Sequence, residues 1–134
     1  MQAQCVFCRI AKGELACHKV FEDSEFIAFL DRFPRNPGHT LVVPKSHYRW
    51  VWDYPQLGRY YELVGRIANA IRAAMKTDWV VSLVLGQEIP HAHVWLVPRF
   101  PGDGHGGAIR LDNVKEISET EMAQIAAKIA ARLA

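Results

Sequence analysis

The chain has 134 residues, half of them hydrophobic and 22% charged, which suits one compact domain over residues 1–134 with a real core and excludes wholesale disorder. Sixteen Lys and Arg against fourteen Asp and Glu leave a formal net charge of +2, too balanced to expect strong nucleic-acid binding. No apolar run approaches the roughly 20 residues of a membrane span, and Met1-Gln2-Ala3-Gln4-Cys5 lacks the basic start and apolar stretch of a secretory signal, so a cytoplasmic protein with no membrane association is the expectation.

In chain order, Cys5 to Gly13 reads as a short helix or turn stopped by Gly13. Lys19–Glu22 and Phe26–Leu30 read as strands separated by the turn residues Asp23 and Ser24. Pro34, Asn36, Pro37 and Gly38 break regular structure, and a third strand follows in Thr40–Val43, ended by Pro44. The clearest helix runs from Leu57 to Lys76. Its apolar positions Leu57, Tyr61, Val64, Ile67, Ala68 and Ile71 recur at helical spacing and predict one buried face. Trp79–Leu85 and Ala92–Val97 are apolar runs rich in β-formers, the second closed by Pro98. Phe100–Gly107 holds one Pro and four Gly and predicts a mobile loop. Ser118 with Glu121 forms a capping box. It opens a final helix to Leu133 with Met122, Ile125, Ala126 and Ile129 along one stripe. The sum is an α+β protein: a mainly antiparallel five-stranded sheet, one long helix and a C-terminal helix within 118–134.

Two stretches carry chemistry. Cys5-Val6-Phe7-Cys8 has a spacing that, in a chain without an export signal, more often holds zinc or runs redox chemistry than forms a structural disulfide. Redox catalysis wants this motif after a strand and opening a helix, and here no strand precedes it. Cys17 stands alone as a small half-buried residue. The second stretch is Gly86-Gln87-Glu88-Ile89-Pro90-His91-Ala92-His93-Val94-Trp95-Leu96-Val97-Pro98-Arg99. On a strand, His91, His93 and Trp95 share one side while Ala92, Val94 and Leu96 share the other. The second side suits a core; the first presents two imidazoles to a pocket, a partner or a metal.

In this company the strand resembles the histidine triad family. Cys5-x-x-Cys8 with Gly13-Glu14, Phe29-Leu30-Asp31, Pro37-Gly38-His39-Thr40-Leu41-Val42-Val43-Pro44-Lys45-x-His47 and the strand itself follow that family in order and spacing over about residues 5–100. The resemblance implies a nucleotide hydrolase or nucleotidyltransferase acting at an α-phosphate. It makes His93 the nucleophile, since a neutral imidazole is nucleophilic near pH 7 and forms a labile phosphoramidate. It makes Cys5, Cys8, His47 and His91 the ligands of a structural Zn²⁺, with His18 as the substitute should His47 fail. Asp31 would accept the ribose hydroxyls, Phe29 would wall the base pocket, His39 would support the catalytic strand, and Gln87 would line the nucleotide site.

There are two departures. Trp95 stands where the family has its third histidine; its indole N–H could bind a nucleotide by donating to a phosphate oxygen, or its ring by stacking on a base, but it cannot deliver a proton. Val80 stands where many members carry Asn or Gln contacting ribose or phosphate. Lys45 and Arg99 are further candidates for phosphate charge. Three readings stay open on the sequence: an enzyme, a nucleotide-binding module impaired by Trp95, and an interaction platform. The small-molecule partner implied is a nucleotide. The apolar face of 57–71, with Trp50 and Trp52 before it, predicts a homodimer, as in the family.

Overall fold

The computed structural model describes residues 4–134. Residues 1–3, on which part of the reading of the N-terminus rests, lie outside the described residues. The elements run α1 (Val6–Ala11), β1 (Lys19–Glu22), β2 (Phe26–Leu30), β3 (Thr40–Pro44), a 3-10 turn (Val51–Asp53), α2 (Leu57–Met75), β4 (Val80–Leu83), β5 (Val94–Pro98) and α3 (Glu119–Ala131). The strands form one sheet in the order β1-β2-β3-β5-β4. Every neighbouring pair is antiparallel. No helix of the described residues is long and apolar enough to cross a membrane.

Strands β2, β3 and β5 are buried along their whole length, because both sides of the sheet are covered. That is why they read as continuous apolar runs rather than as alternating ones. Ala28, Leu30, Val42, Val94 and Leu96 pack with Tyr60, Ile67 and Ile71 of α2 and with Ile125 and Ile129 of α3. Ile27, Phe29, Leu41, Val43, Trp95 and Val97 pack on the other side, beneath Phe7 of α1 and Ile109.

The buried stripe of α2 is Tyr60, Leu63, Val64, Ile67, Ala70 and Ile71. The predicted stripe shares Val64, Ile67 and Ile71 but takes Tyr61 for Tyr60. Tyr61 is 36% exposed, whereas the Tyr60 hydroxyl donates to the Val42 carbonyl at 2.6 Å. Adjacent tyrosines fit helical spacing in either phase, and a buried carbonyl acceptor selects between them. The helix ends one residue early, at Met75, where Lys76 adopts the left-handed conformation and its N–H closes on the Arg72 carbonyl. α3 buries the predicted stripe, and the Ser118 hydroxyl accepts from the Glu121 N–H at 3.1 Å. It ends at Ala131 rather than Leu133.

β5 begins two residues later than predicted. The Ala92 N–H bonds to the Tyr48 carbonyl at 2.7 Å and the His91 N–H to the Ile89 carbonyl at 2.9 Å, so neither joins the ladder with β3. β4 is likewise shorter than the predicted 79–85 and only half-buried, as suits a strand on the sheet edge.

The glycine-rich loop 100–107 is tied down rather than loose. Asp103 accepts from Arg99 Nε at 2.8 Å, from Asn36 Nδ2 at 2.9 Å and from the Phe100 N–H at 3.0 Å. Lys115 Nζ donates to the Asp103 and Arg35 carbonyls, each at 2.9 Å, and to Asn36 Oδ1 at 3.0 Å. The glycines supply positive φ at 102, 104 and 106. They allow a tight path, and the Arg99–Asp103 pair fixes it.

Candidate metal centre and active site

Cys5 caps α1, its sulfur accepting from the Cys8 N–H at 3.4 Å, so one short turn brings both thiols to the same side. His47 follows β3 and His91 precedes β5, and the two strands are paired. Cys5 Sγ lies 3.3 Å from His91 Nδ1, Cys8 Sγ 3.3 Å from His47 Nδ1 and 3.4 Å from His91 Nδ1, and the two Nδ1 atoms are 3.1 Å apart. All four donor atoms lie within 4.8 Å of one another. One lone pair on His91 Nδ1 cannot serve three neighbours as an ordinary hydrogen-bond acceptor.

The opposite nitrogen, Nε2, donates to the Pro44 carbonyl at 2.8 Å, which fixes the tautomer and leaves Nδ1 as the free donor atom. Burial holds the His91 pKa down to about 4, with the His47 and His93 charges adding to it and the Pro44 bond opposing it, so the ring is neutral at pH 7. Two thiols, two imidazoles and a carbonyl orienting one ring from behind make a donor set that fits a metal ion. His18 takes no part, since its Nε2 meets Glu119 at 2.8 Å.

His93 sits two residues on, with 7% of its surface exposed. Its Nδ1 is 2.7 Å from the His91 carbonyl. A carbonyl only accepts, so Nδ1 carries the proton and Nε2 the lone pair. Nε2 has no hydrogen-bond partner among the described residues. Burial lowers the His93 pKa, the His91 bond opposes that, and the Arg49 charge lowers it further. Phe7 meets the imidazole edge-on at 5.0 Å.

Beside His93 is a narrow cleft lined by Arg49, Trp50, Val84, Leu85, Gly86 and Ala92, with no internal room for even a water molecule. Small-molecule sites run to roughly 300 Å³ or more, so a nucleotide needs the surrounding turns to give way. Trp50 crowds this cleft; Trp95 is absent from its lining. Gly86 has φ +99°, and a Cβ there would stand 2.9 Å from a Trp50 ring carbon. Arg49 stacks on Trp50, 3.8 Å from the ring centroid, and donates through Nη1 to the Gly86 carbonyl at 2.7 Å.

Trp95 lies on the same side of the sheet as Phe29 and Phe7. It packs against His39, with ring centroids 4.5 Å apart, and carries the Arg35 guanidinium over its face at 4.9 Å. His39 is fully buried. Its Nδ1 accepts from the Arg35 N–H at 3.0 Å, while its Nε2 has no hydrogen bond and stands 3.5 Å from the Asp31 carboxylate. Burial, with nearby positive charge adding to it, pushes the His39 pKa down to about 3. Burial raises that of Asp31, against a bond from the Phe33 N–H at 2.8 Å. Phe29 is a core residue that meets Phe7 edge-on at 5.6 Å. Gln87 is exposed in the turn between β4 and β5.

Lys45 and Arg99 do not stand free for phosphate. Lys45 Nζ pairs with Glu22 at 2.7 Å. Arg99, 2% exposed, pairs with Asp103 and lies over Trp79. Val80 packs toward the helices, on the opposite side of the sheet from Trp95. The residues that sequence reasoning passes over are Arg49 and Asp103. Arg49 lies only two positions past His47, and Asp103 stands four after Arg99; each spacing is a faint signal on its own.

A model of the HIT domain matches residues 12–102, a span that begins after both cysteines of the cluster. The adenylylsulfatase HINT3 of Arabidopsis thaliana is 37% identical over 106 residues, covering 74% of this chain and 54% of that protein. The adenosine 5′-monophosphoramidase HNT1 of Saccharomyces cerevisiae is 34% identical over 104 residues, covering 74% of this chain and 65% of that protein. The crystal structure of a Zn-bound histidine triad family protein from Mycobacterium smegmatis superposes with a TM-score of 0.79 at 30% identity, covering 96% of this chain and 94% of that one.

Proposed function

The chain belongs to the HIT domain family, and from that premise we propose that it is a nucleotide hydrolase or nucleotidyltransferase acting at an α-phosphate through a nucleotidyl-histidine on His93. One observation carries this reading: the His91 carbonyl holds the Nδ1 proton at 2.7 Å and leaves Nε2 without a hydrogen-bond partner among the described residues. A neutral imidazole with a fixed tautomer is the form that attacks phosphorus. The named activities of the Arabidopsis and yeast relatives, an adenylylsulfatase and a monophosphoramidase, support the reading because both substrates present an α-phosphate bearing a leaving group. Asp31 would meet the ribose hydroxyls, with Phe29 and Gln87 toward the nucleotide. His39 would brace the site by packing against Trp95.

Cys5, Cys8, His47 and His91 would hold Zn²⁺. The donor chemistry and the Zn-bound Mycobacterium smegmatis relative support that choice. Four protein ligands saturate a tetrahedral ion and leave no position for water. Its contribution is therefore structural: it ties α1 and the turn after β3 to the segment that presents His93. The catalytic work falls to the chain's own side chains.

A second reading has Trp95 behind it. In place of a third histidine it supplies no proton, and general acid help is worth roughly 10²–10⁴ in rate. On that reading the protein binds a nucleotide and turns it over negligibly. Intact-protein mass spectrometry after brief exposure to an activated nucleotide separates the two. The enzyme reading predicts a nucleotidyl mass on the wild type and none on His93→Ala. No adduct across donors, with binding retained, selects the binding module.

A further inference from the structure

We infer that residues 107–112 form a strap that lies closed against the side of the sheet carrying Phe29 and Trp95, with Ile109 as its plug and Arg35 as its latch, and that a nucleotide enters by displacing it. This rests on the reading of the nucleotide site above and extends it to how that site is opened.

The residues a nucleotide would meet are covered. Trp95 is 7% and Phe29 3% exposed, and the Asp31 side chain keeps only 13% of its surface. Two separate pieces of chain reach this side of the sheet. One is α1, whose Phe7 meets Phe29 and His93 edge-on. Phe7 stands between Cys5 and Cys8, so α1 moves only with the cluster that those thiols join. The other is Ile109, half-buried against the group that contains Phe29, Leu41 and Trp95.

The stretch that carries Ile109 is firm at its ends and weakly held between them. At one end His105 is buried and Nε2 donates to the Arg35 carbonyl at 2.7 Å, while Arg99 Nη2 donates to the Gly106 carbonyl at 2.7 Å. At the other the Lys115 N–H bonds to the Pro34 carbonyl at 2.7 Å. Between these anchors Gly107, Ala108, Arg110, Leu111 and Asp112 are all exposed. The Arg110 N–H turns back to His105 Nδ1 at 3.0 Å and its carbonyl accepts from the Asn113 N–H at 3.0 Å, bonds that stay within the stretch and its anchor. Only two contacts join residues 107–112 to the sheet side: the Ile109 side chain, and the Leu111 carbonyl that accepts from Arg35 Nε at 3.0 Å. The same guanidinium lies over the Trp95 ring at 4.9 Å, so latch and plug cover one ring together. A surface segment with few apolar contacts and fixed ends opens locally at low cost, whereas α1 and the strands do not.

The test uses the full chain in its metal-loaded form with adenosine 5′-monophosphate as the probe. In the free wild type, nuclear Overhauser contacts should join the Ile109 methyls to the Trp95 ring; saturating nucleotide should abolish them while Phe7 keeps its contacts to Phe29. Ile109 contacts retained with the nucleotide bound overturn the strap. The uncovered state is a minor one, and the apparent Kd exceeds the intrinsic one by the inverse of its population. Ile109→Ala should therefore tighten binding by about tenfold in calorimetry. An isoleucine that serves only the packing leaves Kd unchanged or weakens it when removed, and that result overturns the proposal too. Binding by Ile109→Ala but not by the wild type supports the strap. No binding by either removes the nucleotide reading along with it, so the two failures are distinguishable.

Discussion

At the scale of single residues, the arrangement turns on which nitrogen of each imidazole is committed. His91 gives its Nε2 proton to Pro44 and His93 its Nδ1 proton to His91, so neighbouring histidines two positions apart point opposite nitrogens at their tasks. Trp95 is the residue whose replacement tells most. Trp95→His supplies the proton donor that the family carries at this position and should raise turnover of a nucleoside phosphoramidate by roughly 10²-fold, read as kcat in a steady-state assay. An unchanged or lower rate means that the indole is integral to the packing with His39 rather than a missing acid. Asp103 bears a different prediction. Arg99 beside it, with several N–H donors, holds its carboxyl well below the usual carboxylate range. A carboxyl depressed in the folded state stabilises fully above the unfolded value near 4 and less as pH falls below it. Asp103→Asn should therefore cost about 3 kcal/mol at pH 7, and the gap to wild type should shrink toward pH 2 in urea titrations. A pH-independent gap contradicts the pairing.

At the scale of elements, the central strands were legible as short continuous apolar runs between turn residues, and both long helices because their apolar positions recur at the period of 3.6 that burial on one face imposes. What was not legible came from contacts distant in sequence. The phase of α2 depended on Val42 offering a carbonyl to Tyr60, and the late start of β5 on Tyr48 taking the Ala92 amide. Loop 100–107 looked mobile because composition shows its glycines but not the Arg99, Asn36 and Lys115 that gather on Asp103. Of the candidate site, residue types and spacing pointed only to Cys5 and Cys8, and His47 and His91 joined them through the resemblance to the family. The cleft was not legible, since Arg49, Trp50 and Gly86 meet only through folding. Gly38 tests the element contacts. It has φ +93°, and a Cβ there would stand 3.0 Å from both Met75 and Pro98, where the end of α2 approaches the end of β5. Gly38→Ala should destabilise by about 2 kcal/mol, measured as a lower denaturation midpoint. A neutral substitution would show that this junction yields easily.

At the scale of the whole molecule, the cluster of Cys5, Cys8, His47 and His91 joins three separate stretches of chain. Metal removal should therefore be felt beyond its ligands. Cys5→Ser should lose stoichiometric zinc by elemental analysis and lower the melting temperature, while retained metal would contradict the ligand set. The apolar face of α2 is spent on the chain's own core, so the homodimer we propose would have to use other surface, such as the edge strand β4 with the exposed Trp79 and Leu85 beside it and Trp52, 63% exposed, before α2. Light scattering at micromolar concentration should return twice the chain mass, and a clean monomer refutes it. The proposed chemistry itself rests on His93. The most direct measurement is therefore the location of a trapped label: the protein is quenched within a single turnover of a nucleotide radiolabelled at the α-phosphorus, and its peptides are mapped. The account predicts acid-labile label on the peptide containing His93 and none in His93→Ala; label on another residue, or the same label surviving in that variant, contradicts it.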